Sequence, residues 1–90
     1  MINSKYLAEA IATFFLVFIG AGTVIASNNV LAVAIATGLT LMVMVYAIAH
    51  ISGAHINPAV TVAMWATNRM HSREAFIYVI SQLIGAVVAG

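Results

Sequence analysis

Cysteine is absent from the 90 residues, which removes disulfides, thiol catalysis and thiolate metal sites. Charge is scarce. Three Lys or Arg and two Asp or Glu amount to 6% of the chain, and a net charge of +1 is too small to draw nucleic acid or an acidic protein surface. No charged residue lies between Ala10 and Asn68. At roughly 20 residues per crossing, that interval accommodates at least two membrane spans. Proline occurs once, so its position is informative. What fills the chain is apolar: 64% of residues are hydrophobic and the mean hydropathy is +1.14, far outside the soluble range.

Read in order, Lys5 and Tyr6 flank the start of a first span predicted over residues 5–26, with Asn3 or Ser4 available as a cap. Its apolar run is longer than the core of a cleavable signal peptide, so a retained helix is expected. Helical spacing puts Glu9, Thr13, Leu16 and Gly20 on one face, and an acid just inside a membrane helix faces protein or water rather than lipid. The alternative is an interfacial acid beside Lys5. Ser27-Asn28-Asn29 is short enough for a tight turn, and a second span follows over 30–50, where Ala34, Gly38, Met42 and Val45 form a repeat suited to close helix approach.

Residues 51–57, Ile-Ser-Gly-Ala-His-Ile-Asn, have no room for a crossing and read as an irregular re-entrant loop. Asn57 is a favoured N-cap and Pro58 is pre-set for the first helical turn, so a helix is predicted over 58–68. At about 18 Å it is too short for a hydrocarbon core of about 30 Å. A third span is predicted over 73–90, with Gly85 and Ala89, and Ala86 and Gly90, as small residues four apart. It is still apolar where the sequence stops, so the reading is of the front part of a longer polypeptide. All the basic residues, Lys5, Arg69 and Arg73, lie outside the uncharged interval, and the positive-inside rule puts both of its ends in the cytoplasm. An even number of crossings must separate them, which the dipping half-helix satisfies.

A helix that starts inside the membrane presents about half a positive charge and unpartnered N–H groups at its tip. Such a tip repels cations. The Asn57 amide adds donors there, and the carbonyls from Gly53 through Ala54 and His55 to Ile56 could supply acceptors along an apolar wall, the elements of a pore for small neutral solutes.

The run Ile51-Ser52-Gly53-Ala54-His55-Ile56-Asn57-Pro58-Ala59-Val60-Thr61 resembles the first Asn-Pro-Ala loop of the aquaporin and aquaglyceroporin family, the major intrinsic proteins. Ala8-Glu9 followed by Thr13-Phe14-Phe15-Leu16-Val17-Phe18 resembles that family's first helix, and the match covers essentially the whole chain. The resemblance implies an all-α membrane protein in which six spans and two half-helices form an inverted repeat, of which this chain supplies the first. It implies that Asn57 is the first of two pore asparagines, that the carbonyls of Gly53, Ala54 and His55 line the water path, and that Glu9 supports the loop, to which His50 and Pro58 are added as loop-supporting residues. Thr37, 20 positions before Asn57, matches the second-helix position of the outer selectivity constriction, usually aromatic in strict water channels. Threonine there hints at glycerol or another small uncharged solute beside water. The implied setting is the plasma membrane, with the N-terminus cytoplasmic and the full-length protein a homotetramer whose second repeat follows in the same polypeptide.

Other readings stay open at this level. The fragment could belong to an ion- or solute-coupled transporter, since discontinuous helices also build substrate sites, or to a membrane assembly subunit without transport. Thr37 could hydrogen-bond its own helix. No cofactor is implied, and His50 with His55 lack the further carboxylate or cysteine that a metal site needs. No nucleophile and base pair points to an enzyme. Trp65 and Tyr78 read as interface or packing aromatics, His71 as a solvated loop residue, and Gln82 as an interhelical hydrogen bonder.

Overall fold

The computed structural model describes residues 2–90, all helix and loop: α1 (Ile2–Ala26), α2 (Val30–Ser52), α3 (Pro58–Ala66) and α4 (Ser72–Ala89). Three of these, over Ser4–Ala26, Val30–Ser52 and Ser72–Ala89, are long and apolar enough to cross a bilayer. The nine-residue α3 is not. The molecule is 41 Å long, close to the roughly 40–45 Å of a bilayer with its headgroups.

Helix ends follow local chemistry. With no glycine or proline to stop it, α1 begins at Ile2 rather than Lys5, which places Ser4 within the helix rather than at its cap; the side chain of Asn3, the other expected cap, lies outside the described residues. Asn29 caps α2, its side chain accepting from the Ala32 amide at 3.1 Å, and the short turn of residues 27–29 brings α2 back against α1. α2 runs past His50 to Ser52 because the stop is Gly53, in the left-handed region at φ 86°, whose amide donates to the Ala49 carbonyl at 2.9 Å. α3 opens on the Asn57 cap with Pro58 in its first turn and closes at Ala66, two residues short of the expected end, where Asn68 turns left-handed at φ 62°. α4 starts at Ser72 without a side-chain cap.

Pairs of touching residues give the helix directions. Along α1 and α2, Glu9 meets Ser52 and Gly20 meets Thr37, so the two are antiparallel. Along α1 and α4, Lys5 meets Glu74, Tyr6 meets Tyr78, Glu9 meets Gln82 and Ala10 meets Gly85, so these two run parallel. The segment between α2 and α4 therefore leaves and returns at the Lys5 end. Within it, Thr61 meets Gln82 and Trp65 meets Ser72, so α3 runs antiparallel to α4, from the interior back toward that end.

α1 is the central element and packs on both α2 and α4. It buries Ala8, Glu9, Ala12 and Thr13, while Ile48 and Ile56 complete the core with Leu16, Met44 and Ala54 against it. Small residues permit this closeness: a Cβ on Gly85 would overlap the Ala10 carbonyl and press on the Phe14 amide. The packing face of α2 is Thr37, Met44, Ile48 and Ser52. The expected face of Ala34, Gly38, Met42 and Val45 is exposed instead, with nothing within 4 Å of a Cβ placed on Gly38, because α1 occupies the other side.

Candidate functional site

The site is built on Gly53–Ile56, a loop that turns all four of its amides inward. Gly53 donates to the Ala49 carbonyl, Ala54 to Ser52 Oγ at 3.2 Å, His55 to Glu9 Oε2 at 3.1 Å and Ile56 to Glu9 Oε1 at 2.8 Å. Among the described residues none of the four carbonyls accepts a hydrogen bond. The amides converge because the backbone is held left-handed at Gly53, at Ala54 (φ 53°) and at Ile56 (φ 55°). That region costs roughly 1–2 kcal/mol for a residue with a Cβ and is unusual for a β-branched one.

Glu9 offsets this cost. It is fully buried, and each carboxylate oxygen takes two hydrogen bonds: Oε1 from the Ile56 amide and Gln82 Nε2, both at 2.8 Å, and Oε2 from Ser52 Oγ at 2.7 Å and the His55 amide. An ionised carboxylate is acceptor-only, and every neighbour here is a donor. Converging backbone amides are themselves a recognised anion cradle. The charge is met by hydrogen bonds rather than by a cation.

A second set of bonds locks the half-helix to the same point. Gln82 Nε2 also donates to Thr61 Oγ1 at 3.0 Å, and Thr61 Oγ1 lies 2.9 Å from His55 Nδ1. Rotating the Gln82 amide would aim its oxygen at Glu9, so its orientation is set by its partners. Tyr78 donates its hydroxyl to the Ser52 carbonyl at 2.7 Å, and its ring lies 5.0 Å from that of His55. Asn57 lies at the tip of α3, exposed, its Oδ1 accepting from the Ala59 amide at 2.7 Å, which leaves its NH₂ group outward.

A sequence model described as major intrinsic protein matches residues 2–90. The chain belongs to that family. It is 52% identical over 86 residues to glycerol uptake facilitator protein-like 6 of Lactiplantibacillus plantarum, and 44% identical over 92 residues to aquaporin Z of Photorhabdus laumondii; each match covers 94% of this chain and 40% of the relative. Aquaporin NIP1-1 of Arabidopsis thaliana is 46% identical over 91 residues, with 94% of this chain and 31% of the relative covered. The chain thus spans about 40% of the length of the first of these relatives. As a family member with three crossing-length apolar helices, it is an integral membrane protein with the helix pattern of an aquaporin-like first repeat.

Of the family residues singled out from sequence, Glu9, Gly53, Ala54, His55, Ile56, Asn57 and Pro58 are brought together. Two are not. His50 sits exposed on the last turn of α2 and makes no side-chain hydrogen bond among the described residues; Ser52, half a turn on, takes the inward position and the loop-holding bonds. Thr37 lies far along α2 from Asn57, half-buried, with its hydroxyl toward Gly20 of α1; it is Thr40 that bonds its own helix, at the Ala36 carbonyl. The Ile56 side chain is buried in the core, so only its backbone can face a solute path. Ser52 and Thr61 were not singled out by sequence, Tyr78 was read only as an interface or packing aromatic, and Gln82 only as a hydrogen bonder. The available signal was pairing: α1 carries one acid and α4 one amide within apolar stretches, and each needs a partner.

Proposed function

We propose that this chain forms the first half of a passive channel for water and small neutral solutes such as glycerol, with no covalent chemistry. The observation that carries the reading is the asymmetry of the loop. Its amides are tied inward to Glu9 and Ser52, which leaves a row of acceptor carbonyls from Gly53 to Ile56 leading to the exposed donor of Asn57. A water or a hydroxyl can be handed along such a row while the positive tip of α3 opposes cations, protons included. The names of the relatives, aquaporin and glycerol uptake facilitator, fit this chemistry. Coupled transport is disfavoured by Glu9: the one acid of α1 has both oxygens filled by protein donors, so this carboxylate is not free to bind an ion.

In this reading the other half of the pore comes from a second repeat of the same polypeptide, the intact protein is a plasma-membrane homotetramer, and the N-terminus is cytoplasmic, as the placement of Lys5, Arg69 and Arg73 favours. Thr37 widens the outer constriction. The test is osmotic and glycerol flux of the intact polypeptide in proteoliposomes. Permeability above that of empty vesicles is expected for both solutes, and none for either would end the proposal. Asn57→Asp places a full negative charge at a tip carrying about half a positive one, so a cation leak is expected to appear. Thr37→Phe is expected to lower glycerol flux more than water flux; unchanged glycerol uptake would remove Thr37 from the path.

A further inference from the structure

The basic residues of the chain gather at the Lys5 end and are not used alike. Lys5 is paired with Glu74, whereas Arg69 and Arg73 are exposed and, among the described residues, paired with no acid. Two open notches lie between them. One, of about 380 Å³, is lined by Tyr6, His71, Arg73, Glu74 and Ile77; the other, of about 340 Å³, by Asn68, Arg69, Met70, His71 and Glu74. They share His71 and Glu74, so the two arginines edge a region that holds a single carboxylate, itself occupied by Lys5.

The floor of the first notch is apolar, and it does not end there. Tyr6, Ala10 and Phe14 recur every fourth residue along α1, and Ile77, Ile84 and Val88 form one stripe of α4. Away from the notch this seam becomes a wholly apolar groove of about 300 Å³, in which Ala10, Phe14, Ile84 and Val88 stand around Gly85. A positively edged notch at the membrane rim thus leads into an apolar groove along the same two helices. A phospholipid has that sequence of properties, and basic pockets between membrane helices suit anionic headgroups.

We propose that the α1–α4 seam binds one anionic phospholipid, its phosphate in the notches between Arg69 and Arg73 and an acyl chain along the Ala10–Val88 groove. The site lies on the outside of the α1–α4 pair and does not depend on permeation. Arg69 and Arg73 make no side-chain hydrogen bonds among the described residues, so replacing them leaves the helix packing intact.

The intact polypeptide in detergent is titrated with phosphatidylglycerol and, separately, with phosphatidylcholine, and bound lipid is counted by native mass spectrometry. Wild type is expected to prefer phosphatidylglycerol. Each arginine replaced, Arg69→Gln or Arg73→Gln, is expected to weaken that lipid about fivefold with phosphatidylcholine unchanged. Arg69→Lys with Arg73→Lys is expected to keep most of the preference, and Ile84→Trp, which fills the groove, to weaken both lipids. Equal affinity of wild type for the two lipids, no loss in the double glutamine variant, or an unaltered Ile84→Trp would overturn the proposal. Displacement of the lipid by millimolar inorganic phosphate would overturn it too, since the notch would then be taking a free anion.

Discussion

The two ends of the molecule satisfy their polar groups in opposite ways. At the Lys5 end, Glu9, Ser52, His55, Thr61, Tyr78 and Gln82 bond across α1, α2, the loop, α3 and α4. At the far end, Thr23 returns its hydroxyl to the Ile19 and Gly20 carbonyls of its own helix, and Asn29 caps the helix it begins. Around those residues Val24, Ile25, Val30 and Leu31 are exposed. The bilayer supplies no hydrophobic force between helices, so association rests on close packing and interhelical hydrogen bonds. One end is therefore cross-linked by polar contacts. The other is two helices joined by a turn.

The most forceful way to break that contrast is Glu9→Ala. It leaves the His55 and Ile56 amides without an acceptor, takes one acceptor each from Ser52 Oγ and Gln82 Nε2, and removes the group that holds Ala54 and Ile56 in left-handed conformations. A loss of about 2–6 kcal/mol is expected, at about 1–3 kcal/mol for each of the two buried amides left unsatisfied. Thr23→Ala at the far end is expected to cost under about 0.5 kcal/mol. Both are read from denaturant or thermal unfolding of the intact polypeptide in detergent. Comparable losses would mean that the carboxylate does not organise the fold.

Next in size is Gly85→Ala. Its methyl group would meet the Ala10 carbonyl, a backbone atom that cannot swing aside, so α1 and α4 must move apart. About 1–3 kcal/mol of destabilisation is expected. Gly38→Ala, with open space around it in this chain, serves as the matched control and is expected to stay within about 0.5 kcal/mol.

The comparison also divides what could be read from the sequence. Glu9, Thr13, Leu16 and Gly20 were legible as an inner face because helical spacing is fixed and an acid in lipid needs shelter. Asn57-Pro58 was legible because capping and the fixed φ of proline are local. The face of α2 was not: Ala34 and Gly38 have the small-residue pattern, but which side of an almost uniformly apolar helix meets α1 depends on where Ser52 must reach, and that is a long-range fact. His50 failed for the same reason. His50 and Ser52 are both polar residues near the end of α2, and only the helix phase relative to Glu9 separates them. Gln82 was visible as a polar residue needing a partner, yet its partner lies 73 positions away.

The finest test separates a hydroxyl that is used from one that is merely buried. Tyr78 donates to the Ser52 carbonyl at 2.7 Å, while Thr13 Oγ1 is buried with no hydrogen-bond partner among the described residues. Tyr78→Phe removes one interhelical bond without changing the packing, and such bonds in membranes average about 0.6 kcal/mol with a ceiling near about 1.7. Thr13→Val conserves volume and deletes a hydroxyl that is bonded to nothing, so it is expected to be neutral or stabilising. Unfolding of the two variants side by side gives the sign of each. If Tyr78→Phe lost no more than Thr13→Val, the bond to Ser52 would contribute nothing, and the hold on the loop would reside in Glu9 with its four donors, the Ala54 bond to Ser52 Oγ and the His55–Thr61 contact.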